Sequence, residues 1–155
     1  MSRLPIPTWS FALVVVRLGR RFLLVQERKH GQLWYLPAGR VEPGESWVEA
    51  ARRETLEESG VPVVIEGIFR IEHTPWSEGA ARCRVFFVAR PADDTPPKSE
   101  PDEHSLQAAW VTLEELDKLP LRGAEVRRIF AHVQSGCPIT PLSLLQAEGA
   151  PFGAP

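Results

Sequence analysis

The sequence predicts an α/β (α+β) fold in which a mixed β-sheet packs between helices, and three observations carry that reading. Short β-branched or alternating apolar runs occur early in the chain and again past its middle. One long segment free of Gly and Pro, with start and stop signals at its ends, interrupts them. The order is thus strands, one long helix, strands, then helices, whereas a doubly wound parallel sheet would alternate strand and helix throughout.

Residues 9–18 read as a buried strand, Gly19-Arg20 as a turn, and residues 21–27 as a second strand, which together suggest a hairpin. His30-Gly31-Gln32 reads as a loop and residues 33–37 as a short extended piece. Residues 39–44 hold two glycines and Pro43, the composition of a shaped loop. Ser46 is a good helix N-cap, and Glu49 three positions later completes a capping box. The helix 47–59 then ends at Gly60. Residues 61–73 and 82–90 read as strands joined by a loop around Pro75-Trp76. A polar loop spans 91–104, a strand spans 106–111, and Thr112 with Glu115 caps a short helix. A last helix, 124–134, places Val126, Ile129, Phe130 and Val133 at helical spacing.

The 155 residues are 43% hydrophobic and 25% charged, enough to bury one core, so the whole chain 1–155 is expected to form a single domain. Its Pro/Gly-rich tail, 136–155, should lie over the surface or fray, with Leu142 and Leu144-Leu145 as a docking point. A net charge of −2 argues against a broad grip on a nucleic-acid polymer or an anionic membrane. Cys83 and Cys137 have neither metal-ligand nor C-x-x-C spacing, which fits a reduced, cytoplasmic protein. The apolar run 11–16 is too short for a membrane span or a signal-peptide core.

The chemistry lies in the helix 47–59. On a helical wheel Val48, Ala51 and Thr55 share an arc of about 60°, while Glu57, Glu54 and Glu58 fall at about 180°, 240° and 280° from Val48. A merely solvated acidic face would lie opposite the apolar stripe, but Glu58 borders it. Like charges at i and i+4, Glu54 and Glu58, repel by a few tenths of a kcal/mol on a bare helix. Arg53 can pair with Glu57, but one arginine does not balance three carboxylates. A hard divalent cation would. Taken alone, the helix could still be an ordinary surface helix of Arg–Glu pairs.

The wider pattern decides. Gly39, Glu45, Arg53, Glu54, Glu57, Glu58 and Gly60 fill every fixed position of G-x5-E-x7-R-E-U-x-E-E-x-G-U, where U is a bulky aliphatic residue. Val61 fits the last aliphatic position and Thr55 departs from the first. Seven chance matches have a probability on the order of 10⁻⁸ per window. The segment resembles the Nudix box, and the phrases Trp34-Tyr35-Leu36-Pro37-Ala38 before it and Ala108-Ala109-Trp110-Val111 after it are similar to the same family.

That resemblance implies an α/β/α sandwich and hydrolysis of a diphosphate linkage with Mg²⁺, or Mn²⁺ in its place. It implies Gly39, Glu54, Glu57 and Glu58 as metal-binding positions, Arg53 as the residue that orients the glutamates, and Glu45 as the tie between loop and helix. The general base is left open between Glu54 and a loop carboxylate, Glu103 before Asp102. Arg28, Lys29, Arg40, Arg82 and Arg84 are candidate phosphate contacts, and Trp76 is the candidate for stacking on a base. Trp9 and Trp110 are assigned to the core; His73 and His104, each without a visible partner, are left out of the site.

For substrate, residues 36–45 and 105–110 are similar to the branch acting on oxidised guanine nucleoside diphosphates. A nucleoside di- or triphosphate therefore ranks first and an ADP-ribose-like nucleotide sugar second, with capped RNA lower for want of a basic groove. A small-molecule nucleoside diphosphate derivative is the expected partner, acted on by a monomer or homodimer. A nucleotide-binding sensor without turnover is the different-class alternative.

Overall fold

The computed structural model describes residues 3–153. Its strands are β1 (Thr8–Leu18), β2 (Arg21–Glu27), β3 (Trp34–Tyr35), β4 (Ala38–Arg40), β5 (Val63–Trp76), β6 (Ala80–Pro91), β7 (Ser105–Val111) and β8 (Thr140–Pro141). The helices are α1 (Trp47–Ser59), α2 (Leu113–Leu116) and α3 (Glu125–Gln134). The sheet runs β3-β2-β1-β6-β5-β8, with β4 also on β1 and β7 also on β2. It is mixed, because β1 and β6 are parallel while the other pairs are antiparallel.

Strand β1 shows why helices cover both faces. Ala12, Val14 and Val16 pack with Ala50 and Ala51 of α1, while Leu13 and Val15 pack with Val126, Phe130 and Val133 of α3. Alternate side chains point to opposite faces, so a continuous apolar run serves two cores. Phe22 of β2 stacks on Phe130 of α3 with centroids 4.5 Å apart, a contact contributing about 1 kcal/mol beyond its buried area. The result is the expected α/β/α sandwich. Among the described residues no helix is long and apolar enough to cross a membrane.

Several details differ from the expectations. The β1–β2 hairpin pairs only next to its turn, at Arg17–Phe22 and Leu18–Arg21, and then splays. Beyond the split β1 pairs with β4 while β2 pairs with β3 and β7. Residues 38–40 are therefore a strand although their composition suggests a loop: β1 offers them a free edge. The Pro75-Trp76 stretch is likewise strand, because β5 continues to Trp76 before turning at Gly79. Pro75 is tolerated because it lies beyond the Gly67–Ile68 stretch where β8 covers the outer edge. Trp9 is 44% exposed, with the Arg40 guanidinium over its ring at 4.5 Å, whereas Trp110 packs against the α1-side core. In the tail, Thr140–Pro141 adds to β5 and Leu142 and Leu145 pack on that core, but Leu144 is 62% exposed. Gly67 makes this possible, since a Cβ there would strike the Thr140 carbonyl.

Candidate active site

Helix α1 begins and ends as its sequence dictates. The Ser46–Glu49 capping box closes the N-terminus, and Gly60, at φ 74°, donates its backbone N–H to the Leu56 carbonyl. Its buried residues are small: Ala50, Ala51, Thr55 and Ser59. That lets the helix lie close on the sheet. The Thr55 hydroxyl donates to the Ala51 carbonyl (2.7 Å) and Ser59 to the Thr55 carbonyl (2.6 Å), so neither buried polar group is orphaned.

The buried arc is wider than the wheel suggests. Ala50 is fully buried on the side that carries Glu54, so the acidic side faces protein rather than water. Glu54 lies against Gly39 of β4 so closely that a Cβ on Gly39 would overlap its carboxyl group. The Ala38 backbone amide donates to Glu58, which is half-buried. Burial, and next the charge of Glu54, pushes the Glu58 carboxyl well above the usual carboxylate range. Glu54 is raised as well, chiefly by burial and against the pull of Arg53.

Arg53 is the hub of the loop. Its Nε and Nη2 donate to the two oxygens of Glu45 at 2.6 and 2.9 Å, and Nη2 also reaches the Arg40 carbonyl at 3.0 Å. Nη1 donates to Glu54 at 2.8 Å and to Glu57 at 3.2 Å. The hydrogen bond from Arg53 holds Glu45 below the ordinary carboxylate range, and Glu45 in turn raises the Arg53 guanidinium. The arginine that could pair with Glu57 is thus committed first to Glu45.

The loop between β6 and β7 comes to the C-terminal end of α1. Lys98 is nearly buried there; its Nζ donates to the Glu57 carbonyl (2.6 Å) and Ser105 Oγ (2.9 Å) and pairs with Asp102 (2.6 Å). Ser105 Oγ donates to the Glu58 carbonyl. Asp102 is therefore a structural anchor, held at about 2 by Lys98 above all. Glu103 is 85% exposed and sits 3.3 Å from His104 Nε2, while His104 Nδ1 is 3.8 Å from Glu57. His104, left out on sequence, thus stands between the loop carboxylate and the helix.

A cavity of about 320 Å³ opens beside Gly39 on the α3 side of the sheet. Its floor includes Phe11, Leu13 and Tyr35, and Arg82, Arg84, Arg122, Glu27 and His30 ring it. Of the candidate phosphate contacts, Arg82 and Arg84 line it. Arg82 lies over the Phe11 ring at 4.6 Å, and Arg84 is clamped between Glu72 (2.7 Å) and Glu125 (3.1 Å). Arg28 instead donates to the Asp102 carbonyl, Arg40 covers Trp9, and Trp76 sits at the tip of the β5–β6 hairpin; none of them lines this cavity. Lys29 is exposed at the N-cap of the short turn His30–Gln32. Tyr35 belongs to the Trp34–Ala38 phrase but its place at the cavity was not legible, and Glu27, His30 and Arg122 had no periodicity or motif to mark them, since only the β2–β3 and α2–α3 connections bring them to the cavity.

A hard cation fits the carboxylates. Glu54 and Glu58 lie within hydrogen-bonding reach of each other, and among the described residues Arg53 is the cation paired with Glu54. Among the described residues no three His, Cys, Asp or Glu side chains already converge on one point; Glu57 faces Arg53 and His104. Glu54, Glu57 and Glu58, with the Gly39 carbonyl, are the groups that could hold such an ion.

The sequence model of the NUDIX domain family matches residues 7–133. The chain is 42% identical over 107 residues to the 8-oxo-dGDP phosphatase NUDT18 of Homo sapiens, covering 67% of this chain and 32% of that protein. It is 30% identical over 118 residues to the NAD-capped RNA hydrolase NudC of Pectobacterium atrosepticum, covering 76% and 44%. The chain spans about a third of the length of the first of these relatives. A solved NUDIX hydrolase from Nitrosomonas europaea superposes with a TM-score of 0.75 at 29% identity, covering 92% of this chain and 99% of that one. A family match over most of the chain, on a sandwich that the solved hydrolase shares, makes this protein a member of the Nudix hydrolase family.

Proposed function

We propose that this chain, acting as one domain over residues 1–155, hydrolyses a diphosphate linkage in a nucleoside di- or triphosphate and releases a monophosphate. A base-modified, oxidised guanine nucleotide heads the class, in keeping with the similarity to a protein named as an 8-oxo-dGDP phosphatase. The observation that carries the reading is the juxtaposition of Glu54 and Glu58, with Glu54 pressed against Gly39 and an arginine-ringed cavity opening beside that glycine.

In this reading Glu54, Glu57 and Glu58 with the Gly39 carbonyl hold Mg²⁺, or Mn²⁺. Bound there, the ion would neutralise diphosphate charge and acidify a water molecule. Arg82 and Arg84 face the phosphate chain, and Phe11 and Tyr35 offer aromatic surface to the base. Glu54 is better placed than Glu103 to accept the proton, because Glu103 turns to solvent behind His104. A second cavity of about 380 Å³ shares the Arg84 wall with the first, which favours a nucleotide sugar as the alternative substrate.

The test is phosphate release from oxidised and ordinary nucleoside di- and triphosphates, ADP-ribose and other nucleotide sugars with Mg²⁺, using a coupled phosphatase to reveal monophosphate products. Glu57→Gln serves as control. A substrate turned over by wild type and lost in the variant supports reaction and site together. Turnover that survives Glu57→Gln sinks the site assignment, and a silent panel with intact nucleotide binding favours a sensor.

A further inference from the structure

The connection from β2 to β3 holds three successive residues in the left-handed region: His30 (φ 56°), Gly31 (φ 72°) and Gln32 (φ 57°). Glycine adopts this region freely, but histidine and glutamine do so at a cost. The surroundings enforce it. Gln26 Nε2 donates to the Gln32 carbonyl at 3.1 Å and Gln107 Nε2 donates to Gln26 at 2.8 Å. His30 Nδ1 lies 3.2 Å from a carboxylate oxygen of Glu27, and Arg122 Nη1 lies 3.0 and 3.2 Å from the two oxygens of the same group.

Strain in non-glycine residues persists where the neighbours over-determine it, and such sites concentrate where a ligand is held. Here the strained residue is delivered to the cavity beside Gly39, which His30, Glu27 and Arg122 all line. A carboxylate only accepts hydrogen bonds, so the His30 Nδ1 must donate to it. In the neutral ring that fixes Nε2 as an acceptor. Beside it, Arg122 bonds Glu27 through Nη1, and among the described residues its other guanidinium N–H groups show no partner.

We infer that His30 is a specificity-determining residue which, with Arg122, reads a ring-amide edge of the base: an N–H donor adjacent to a C=O acceptor. Guanine carries such an edge on its six-membered ring, and oxidation at C8 creates a second on the five-membered ring. Adenine carries none. The inference rests on the proposed nucleotide site and names the base it selects. Strain at His30 is then retained because a glycine or asparagine, though easier to place, would present a different edge.

The experiment measures KM and kcat with Mg²⁺, and in parallel Kd by calorimetry with Ca²⁺, for 8-oxo-dGDP, dGDP and dADP. Wild type, His30→Gly and His30→Asn are compared, each with its Tm. His30→Gly should keep or raise Tm, because glycine relieves the positive φ, while KM and Kd for 8-oxo-dGDP rise about tenfold more than for dADP. His30→Asn, which tolerates the same backbone, should recover part of the loss. Equal losses for all three nucleotides, or no loss in a variant of unchanged Tm, would overturn the inference. Binding without turnover in wild type would overturn the hydrolase reading, and the Kd ratios would still decide the role of His30. If wild type binds none of the three, the inference fails outright.

Discussion

Arg53 grips both oxygens of Glu45, with Nε at 2.6 Å and Nη2 at 2.9 Å, and so ties the loop after β4 to the middle of α1. Both side chains are mostly shielded from solvent, at 22% and 14% exposure. A two-point, charge-assisted contact of this kind contributes about 2 kcal/mol. Arg53→Lys keeps the charge but cannot span two oxygens while also reaching Glu54 and Glu57. Its turnover should fall at least about tenfold with a stability loss of about 2 kcal/mol. Denaturant unfolding and single-turnover rates check this; wild-type rates in Arg53→Lys would reduce Arg53 to a surface charge.

Gly39→Ala tests close approach rather than charge. The new methyl group would overlap the Glu54 carboxyl, so strand and helix must part or Glu54 must turn away. Overpacking costs about 1–3 kcal/mol. Mg²⁺-dependent turnover should collapse while far-UV circular dichroism stays native. Retained activity would mean that Glu54 does not need its place against β4.

Thr55 is where the sequence departs from the family pattern, and its replacement should be mild. Thr55→Val removes a hydroxyl that returns to the Ala51 carbonyl within the same helix and adds a methyl of similar size. Stability should stay within about 1 kcal/mol of wild type and turnover should hold, because no partner outside α1 is lost. A large drop in Tm would show that the hydroxyl supports more than its own helix.

Acid should loosen the loop between β6 and β7. Lys98 holds Asp102 at about 2 against 3.8 in the unfolded chain, so the folded state binds that proton less readily. The depressed value means that the contribution of Asp102 is complete above about pH 4 and disappears as pH falls through about 2. Asp102→Asn should therefore lower stability at pH 7 but scarcely at pH 2, as read from urea midpoints at the two pH values. An equal deficit at both would assign the effect to the backbone bonds of His104 and Ser105 instead.

Much of α1 was legible because its signals are local. Capping box, uninterrupted helix and terminal glycine lie within one short stretch, and the structure follows them from Trp47 to Ser59. The two faces of β1 were legible as an apolar run, but their separate partners were not. Strand β4 was hidden because its pairing depends on an edge that β2 vacates. The wheel placed Glu58 at the border of the buried stripe; it could not show that Ala50 extends burial to the Glu54 side, because that needs the position of β4. Glu27 and His30 are near neighbours in sequence, but Arg122 lies 95 residues beyond Glu27 and reaches that carboxylate only through a tertiary contact. Arg28, Arg40 and Trp76 have the chemistry of a ligand contact, yet the cavity forms elsewhere.

The parallel pairing of β1 with β6 bears on how the chain must fold. Thr8 faces Ala81 and Val16 faces Ala89, so one long edge of the central strand waits for residues made much later. Its other edge is covered early, by β2 at the turn and by β4 beyond it. Pairing across such a sequence distance is entropically slow, and an uncovered strand of Val and Leu is adhesive while it waits. A nascent chain halted before residue 80 would present that edge to its neighbours on the ribosome, so synthesis paused there should yield aggregate rather than a soluble half-domain.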